Sequence, residues 1–473
     1  MTLVKLPIHE GMAKATDEVG LTNLNAELIN VFVDDLLNVN RWPGYEEFAA
    51  TGEAAGIDGM FWWENQSRVI VVCNQKTFQI TDANGTIAEI TGDTFEAGNR
   101  VKFADFGSAL YAANRGKINA ISTSAVTQMA DADAPTSVSH TAVISRYLIG
   151  NELSSGNFHW ADVNAPTSWS GYYAEAEANP DNLVALDVQN KEVALLGKKT
   201  LEFFTTDESS PFISLYQGTV QAGTVAPYSF VWCDAVNSYV WLDQKRRVVR
   251  LDGRQAVPIS ITVNKYIQEE LSTVSDAIGD YAEISGRPFY IITFPVAGKT
   301  LAYDFFSERW YTLGSWNTGT ASYDRYRANC WCLAPDWNYT LIGDYANGKI
   351  YKISTSIYDE NGSILRSLLR TAHYNHGTER LRKTSNGIYV RLKRTSSVSD
   401  DETPDLMVRY RDDGNTTWNS DFSLPLHAVS NTEFVAHATR LGSYFSRQWE
   451  FYMTDSYPLC LVSVEEDVEI ESA

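Results

Sequence analysis

His373 and His376 are the first residues whose spacing suggests chemistry, because two imidazoles in an H-x-x-H pattern can grip one zinc ion when further ligands stand near. No Glu or Cys completes such a set, and Gly377 marks the stretch as a loop, so metal binding there is disfavoured. Cys330 and Cys332 place two thiols on one strand face, but the second Cys pair that a structural zinc site needs is missing. Both therefore read as core. Five cysteines in 473 residues make no disulfide framework, and Cys73, Cys233 and Cys460 lie in apolar runs as expected of buried, reduced thiols. No G-x-S-x-G, complete Walker A or G-x-G-x-x-G motif occurs. Glycoside hydrolysis would need two carboxylates about 5–10 Å apart, and the 59 acidic residues single out no pair. We expect no catalytic residue, no cofactor site and no metal site.

The segment YRDDGNTTWNS, Tyr410 to Ser420, approaches the S-x-D-x-G-x-T-W turn of sialidase propellers. Tyr410 stands where that turn has Ser, and Trp418 lies one residue too far from Gly414, so Asp413-Gly414 reads as a type I′-like hairpin turn. The alternative function this leaves is a propeller-type carbohydrate-active enzyme, sialidase- or glycosidase-like. It would call for a secretory signal and repeated Asp turns. The opening MTLVKLPIHEGMAK has no apolar stretch after Lys5 and is not expected to be a signal, so the N-x-S/T triplets at Asn65, Asn84, Asn338, Asn361 and Asn415 read as turn chemistry. No run of 18 apolar residues marks a membrane span.

The formal charge of −21 opposes tight binding of phosphates. One segment reverses the sign: Arg366 to Arg394 carries Arg366, Arg370, Arg380, Arg382, Lys383, Arg391, Lys393 and Arg394 against the single acid Glu379. Acidic stretches follow at Ser399 to Asp405 and in the tail EEDVEIE.

The elements that must position these residues are overwhelmingly strands. Helical periodicity is confined to Ala26–Leu37 and Thr262–Leu271, where we expect helices. Paired apolar runs flank short turns near Gln75, Arg115, Ser155, Lys198, Gln244, Gly298 and Asn347. These centres recur about every 45 residues, the spacing of four-stranded propeller blades; the alternative, an irregular pair of β-sandwiches, gives no reason for that period. Adjacent Trp62 and Trp63 in a strand face opposite ways, so one must enter the core. The expected fold is all-β: an N-terminal arm (1–45), a β-propeller of six or seven blades (46–360) and a C-terminal β-sandwich-like domain (365–473).

Several stretches together resemble the packaged-DNA stabilisation proteins of short-tailed bacteriophages, which form the tail hub or nozzle. LPIHEGM with Lys14 is similar to the family's opening, with Leu6, Pro7, Gly11 and Met12 as matching positions. The Trp42-Pro43-Gly44 turn is similar to the point where the family's arm enters the first blade. ALLGKKTLEFFTTDES matches at Leu201, Glu202, Phe203 and Phe204, and YSFVWCDAVNSYVWL, Val257 to Ser260 and FYIITFP…TLAYDFFSERWYTL resemble later blades. The likeness runs in order from about Leu6 to Leu313, and LGSYFSRQWEF is similar to closing strands of related tail proteins.

The resemblance implies a non-enzymatic virion protein, made and assembled in the host cytoplasm. It implies a homo-oligomer, a hexameric ring, seated beneath a portal–adaptor complex and holding a needle or plug and tailspikes, with double-stranded DNA passing through the lumen without tight binding. The basic segment is then expected to meet acidic surfaces of a neighbouring subunit or the tail adaptor, with Arg366, Arg370, Arg380, Arg382 and Lys383 as candidate contacts, since the planar guanidinium pairs bidentately with carboxylates. Packing of that segment against the acidic tail of its own domain is the equal alternative.

Overall fold

The computed structural model describes residues 2–9, 11–12, 26–176, 181–206, 212–214, 218–393, 404–426 and 433–471. Seven four-stranded antiparallel meanders follow one another: residues 57–90, 102–128, 141–175, 183–214, 231–258, 278–317, and 328–354 completed by the strand Gly44–Ala50. We number them blades 1 to 7. Their first strands adjoin in cyclic order, with blade 4 meeting blade 5 at the Pro227–Ser229 turn that leads into its first strand, and the first strand of blade 7, Ala328–Ala334, lies beside that of blade 1, Ile57–Trp63. The ring is closed.

Closure follows from strand chemistry. Arg68–Cys73 is apolar on both faces: Val69, Val71 and Cys73 pack in a cluster shared with blade 7, while Ile70 and Val72 pack in one shared with blade 2. Each blade-to-blade interface holds such a cluster. A blade cut out of the ring would leave two apolar faces in water, at about 1.5–3 kcal/mol per large side chain. Trp63 is fully buried and Trp62 is half-buried, as alternation requires. All five cysteines are buried free thiols.

Blade 7 takes its outer strand from the other end of the array. Gly44–Ala50 pairs antiparallel with Lys349–Ser354, from Gly44↔Ser354 to Ala50↔Lys349. Lys349–Glu47 (2.6 Å) and Lys352–Glu46 (2.8 Å) reinforce the pairing. Gly44 is required here, because a Cβ would stand 2.2 Å from the carbonyl oxygen of Asp359.

Residues 365–471 build two sheets packed face to face, and residues read as an arm supply strands to both. In the first, Glu27–Ile29 lies between Arg309–Asn317 of blade 6 and Ser367–Arg370, and the sheet continues through Arg447–Met453, Asp405–Asp412 and Phe422–Pro425. Blade 6 and the C-terminal region thus share one ten-stranded sheet. In the second, Cys460–Ile470 pairs with Thr2–Lys5, Val39–Arg41 and Lys383–Lys393. A single core holds Phe289 and Ile291 of blade 6, Trp331 of blade 7, and Val390, Val408, Phe451 and Val464 of the two sheets.

The helix expected at Ala26–Leu37 is instead two strands, Glu27–Ile29 and Val31–Val33, joined at Asn30. Asn30 adopts a left-handed φ of 53° and turns the chain from one sheet into the other. Its buried amide donates to the carbonyls of Gly314 (2.7 Å) and Arg366 (2.9 Å) and accepts from the Gly314 N–H (3.0 Å). Open edges on both sides captured a segment rich in Val, Ile and Phe, which overrides weak helical periodicity. At Thr262–Leu271 the chain is helical as expected: residues 261–270 run without a break from a 3-10 turn at Ile261–Val263 through Asn264 and Lys265 into a π turn at Tyr266–Glu270.

Candidate interaction surface

Strand pairing decides the fate of the basic segment. Arg370 lies opposite Glu450 on one neighbouring strand and Glu27 on the other, and its guanidinium bonds both, at 2.6 and 2.7 Å. Arg409, from the next strand, reaches Glu450 at 2.5 Å, and Arg366 approaches it at 3.5 Å while stacking on Trp316 and Tyr452. Glu450, fully buried, is therefore the hub of three arginines. Burial works against the charge on Arg370, but Glu450 and Glu27 hold its pKa above the ordinary value. Trp418 lies over Arg370, Arg409 and Arg411, with guanidinium-to-ring distances of 5.4, 4.9 and 4.7 Å.

Lys383 is also internal: its ammonium donates to the carbonyls of Thr378 and Phe445, and burial lowers its pKa. Arg366, Arg370 and Lys383, read from the sequence as candidate contacts with a partner, thus bind within the chain. Arg380, Arg382, Arg391 and Lys393 are exposed, and Arg394 lies outside the described residues. The strand Lys383–Lys393 runs antiparallel to Cys460–Ile470, with Ile388 opposite Glu466 and Tyr389 opposite Glu465, so the segment packs directly on its own acidic tail. His376 faces Tyr444 Oη (2.8 Å) and Glu466 (3.3 Å). Asp413 and Gly414 both have positive φ, 55° and 72°, and the Asn415 N–H closes the turn onto the Asp412 carbonyl at 2.9 Å, the expected I′ geometry.

The propeller axis is a second candidate site. A cavity of about 240 Å³ is lined from all seven blades, by residues including Phe61, Arg100, Lys102, His140, Asp187, Trp232, Asp280 and Trp331. Arg100 Nη2 donates to both carboxylate oxygens of Asp280, at 2.7 and 2.9 Å. A sphere of this volume is about 8 Å across, whereas the major groove of B-DNA alone is about 12 Å wide. A duplex cannot thread the axis of one chain. The sequence reading missed these charges; the signal available was that Lys102, Asp187 and Asp280 each fall in the first strand of a repeat. It also missed Glu450, a lone acid between Trp449 and Phe451 in a strand whose neighbours are arginine-rich.

Residues 4–358 match a family model described as Bacteriophage P22 Gp10, beta-propeller. The chain belongs to this family of phage packaged-DNA stabilisation proteins. The match begins in the strand Thr2–Lys5 and runs through all seven blades. Membership makes it a structural protein of a phage virion, part of a tail assembly. No curated protein matches the sequence. Among solved structures it is similar to the extracellular domain of the putative one-component system BT4673 from B. thetaiotaomicron, with 12% identity, a TM-score of 0.43, and 95% of this chain and 64% of that chain covered. It is also similar to the N-terminal domain of Nup159, with 10% identity, a TM-score of 0.40, and 70% and 99% covered. The chain thus spans under two thirds of the BT4673 domain. Among the described residues, no helix is long and apolar enough to cross a membrane.

Proposed function

We propose that the protein acts as a non-enzymatic tail hub or nozzle: several copies, six by analogy with the family, form a ring below the portal–adaptor complex, retain packaged DNA, conduct it during ejection, and hold a needle or plug and tailspikes. The observation that carries this reading is the family match over residues 4–358. The geometry adds a constraint, for a closed propeller too narrow for a duplex leaves only the space between copies as a conduit. A charge of −21 per copy suits that role. Each phosphate neutralised by a basic lining would add salt-dependent grip and slow ejection, while a wall of acids keeps the polyanion near the centre. Retention then depends on a mechanical closure rather than adhesion. Assembly would take place in the host cytoplasm.

In this reading the candidate contacts that remain exposed, Arg380 and Arg382, dock onto the adaptor. Negative-stain imaging of the purified chain mixed with a portal–adaptor complex tests the reading. A six-fold collar is expected; no collar, or turnover of a glycan substrate by the free chain, would overturn it.

A further inference from the structure

The axial cavity holds an arrangement that a ring-forming role does not use. His140, only 3% exposed, lines it and stacks on Tyr228 with ring centroids 5.2 Å apart. Its proton can be placed from its neighbours. Asn151 Oδ1 accepts the backbone N–H groups of Ser139 (3.1 Å) and His140 (2.8 Å), and Asn151 Nδ2 donates to Ser139 Oγ (3.0 Å). The Ser139 hydroxyl has two acceptors in reach, His140 Nδ1 at 2.9 Å and Asn151 Oδ1 at 3.3 Å; because Oδ1 already takes two backbone donors, we assign its proton to the nearer Nδ1. This assignment places the ring proton on Nε2, which has no hydrogen-bond partner among the described residues. Burial, with Lys102 and Arg115 nearby, pushes the His140 pKa well down, so the ring is neutral and Nε2 is a donor only.

The other charges of the cavity sort in the same direction. Asp280 is closed by Arg100. Asp187 accepts from the Val188 backbone and the Gln189 side chain, and burial raises its pKa. Lys102 lies among Arg100, Asp280 and Asp187 in a half-buried position, its pKa lowered by burial and by Arg100. Both acids have hydrogen-bond donors of their own, and the lining groups Lys102, which also lies in the field of Asp187 and Asp280, and His140 Nε2–H bring further donors to the cavity. Phe61, Phe103, Phe230, Trp232 and Trp331 form apolar walls around them. Donors converging in an apolar pocket call for a ligand that brings acceptors and negative charge.

We propose that the propeller axis is a binding site for a small oxyanion-bearing molecule, a carboxylate or phosphate compound, held by Lys102 and His140 Nε2–H between the aromatic walls. The site would serve such a ligand in each copy of the chain, independently of ring assembly.

The test uses the purified full-length chain, with inorganic phosphate and acetate as separate probes and glucose as a neutral one, at constant ionic strength set with chloride. Phosphate ³¹P line broadening and the unfolding temperature are read for wild type, for K102Q and for H140F. Phosphate or acetate should bind wild type saturably and raise its unfolding temperature, and each substitution should weaken binding about tenfold or more, the loss of one charge-assisted or buried hydrogen bond. R254Q, at the surface Arg254–Glu192 pair, should bind as wild type does. If one axial variant fails to fold, the other carries the comparison. Anion binding that survives K102Q and H140F, or its absence in wild type, overturns the site. Binding of glucose but of neither anion overturns the ligand class.

Discussion

Replacing Glu450 by Gln keeps the shape of the side chain and removes the one charge that three guanidiniums share. Arg366, Arg370 and Arg409 stand 3.5, 2.6 and 2.5 Å from its carboxylate, which is fully buried. Breaking a buried ion pair from one side costs about 3–5 kcal/mol, because the remaining charges stay desolvated without compensation. Arg370 keeps Glu27, and the side chains of Arg370 and Arg409 are about a quarter exposed, so water recovers part of the loss. The expected loss is about 3 kcal/mol. Its effect on melting depends on how much of the chain unfolds together. At about 2.1 cal/mol/K per residue, a whole-chain transition has an unfolding entropy near 1 kcal/mol/K and should shift by about 3 °C, whereas a C-terminal unit of on the order of 130 residues melting alone should shift by about 10 °C. The ten-stranded sheet and common core predict the small, single shift. Calorimetry of wild type, E450Q and R409Q/E450Q measures it, the double variant losing less than the sum of its parts. A loss under 1 kcal/mol would refute the hub role of Glu450, and a separate early transition would refute the coupling.

Other outcomes follow from the same structure. R380E/R382E should abolish assembly onto a portal–adaptor complex while changing stability by less than about 0.5 kcal/mol, since both side chains are exposed; K383E, at a buried site, should fail to fold stably, and urea melts separate the two cases. G44V should cost more than about 2 kcal/mol by forcing a methyl against the Asp359 backbone where blade 7 is closed, and limited proteolysis should then cleave near residue 50 first. Burial raises the Glu360 carboxyl to about 7, so the native state holds a proton that the unfolded chain releases near its ordinary 4.5. Stability from this group is complete below about pH 4.5 and is lost as pH rises through about 7; E360Q should flatten that dependence and stabilise the protein at pH 8 by about 2 kcal/mol in denaturant titrations.

The parts of the fold legible in the sequence were those with both faces buried. Each of the seven turns near Gln75, Arg115, Ser155, Lys198, Gln244, Gly298 and Asn347 joins the second and third strands of a blade. The second strands, such as Arg68–Cys73 and Ser238–Leu242, are apolar almost throughout, and the turns after them often need residues that tolerate positive φ, as at Asn74, Gln75 and Arg246. Outer strands such as Tyr173–Glu175 and Gln255–Pro258 are half exposed and carry no alternation to detect. The segment Ala26–Leu37 was misread because its conformation is dictated by sheet edges some 280 to 340 residues downstream. The same distance hid the fate of the basic segment. Arg370 looks like surface charge until Glu450 is placed beside it, and local sequence does not reveal a partner 80 residues away. Arg380 and Arg382, with no such partner strand, are exposed.

The pairing of Thr2–Lys5 with Cys460–Ile470, Thr2 facing Val468, bears on how the protein is made. Thr2–Lys5 must wait for Cys460–Ile470, made hundreds of residues later, before their ladder can form, and Glu27–Ile29 must likewise wait for Ser367–Arg370. A nascent chain halted after blade 7 could close its ring but would still display unpaired strand edges at its beginning, which invite aggregation. This region therefore matures only after the C-terminal strands have been made, and a chain stopped after blade 7 is an adhesive fragment rather than a smaller working part.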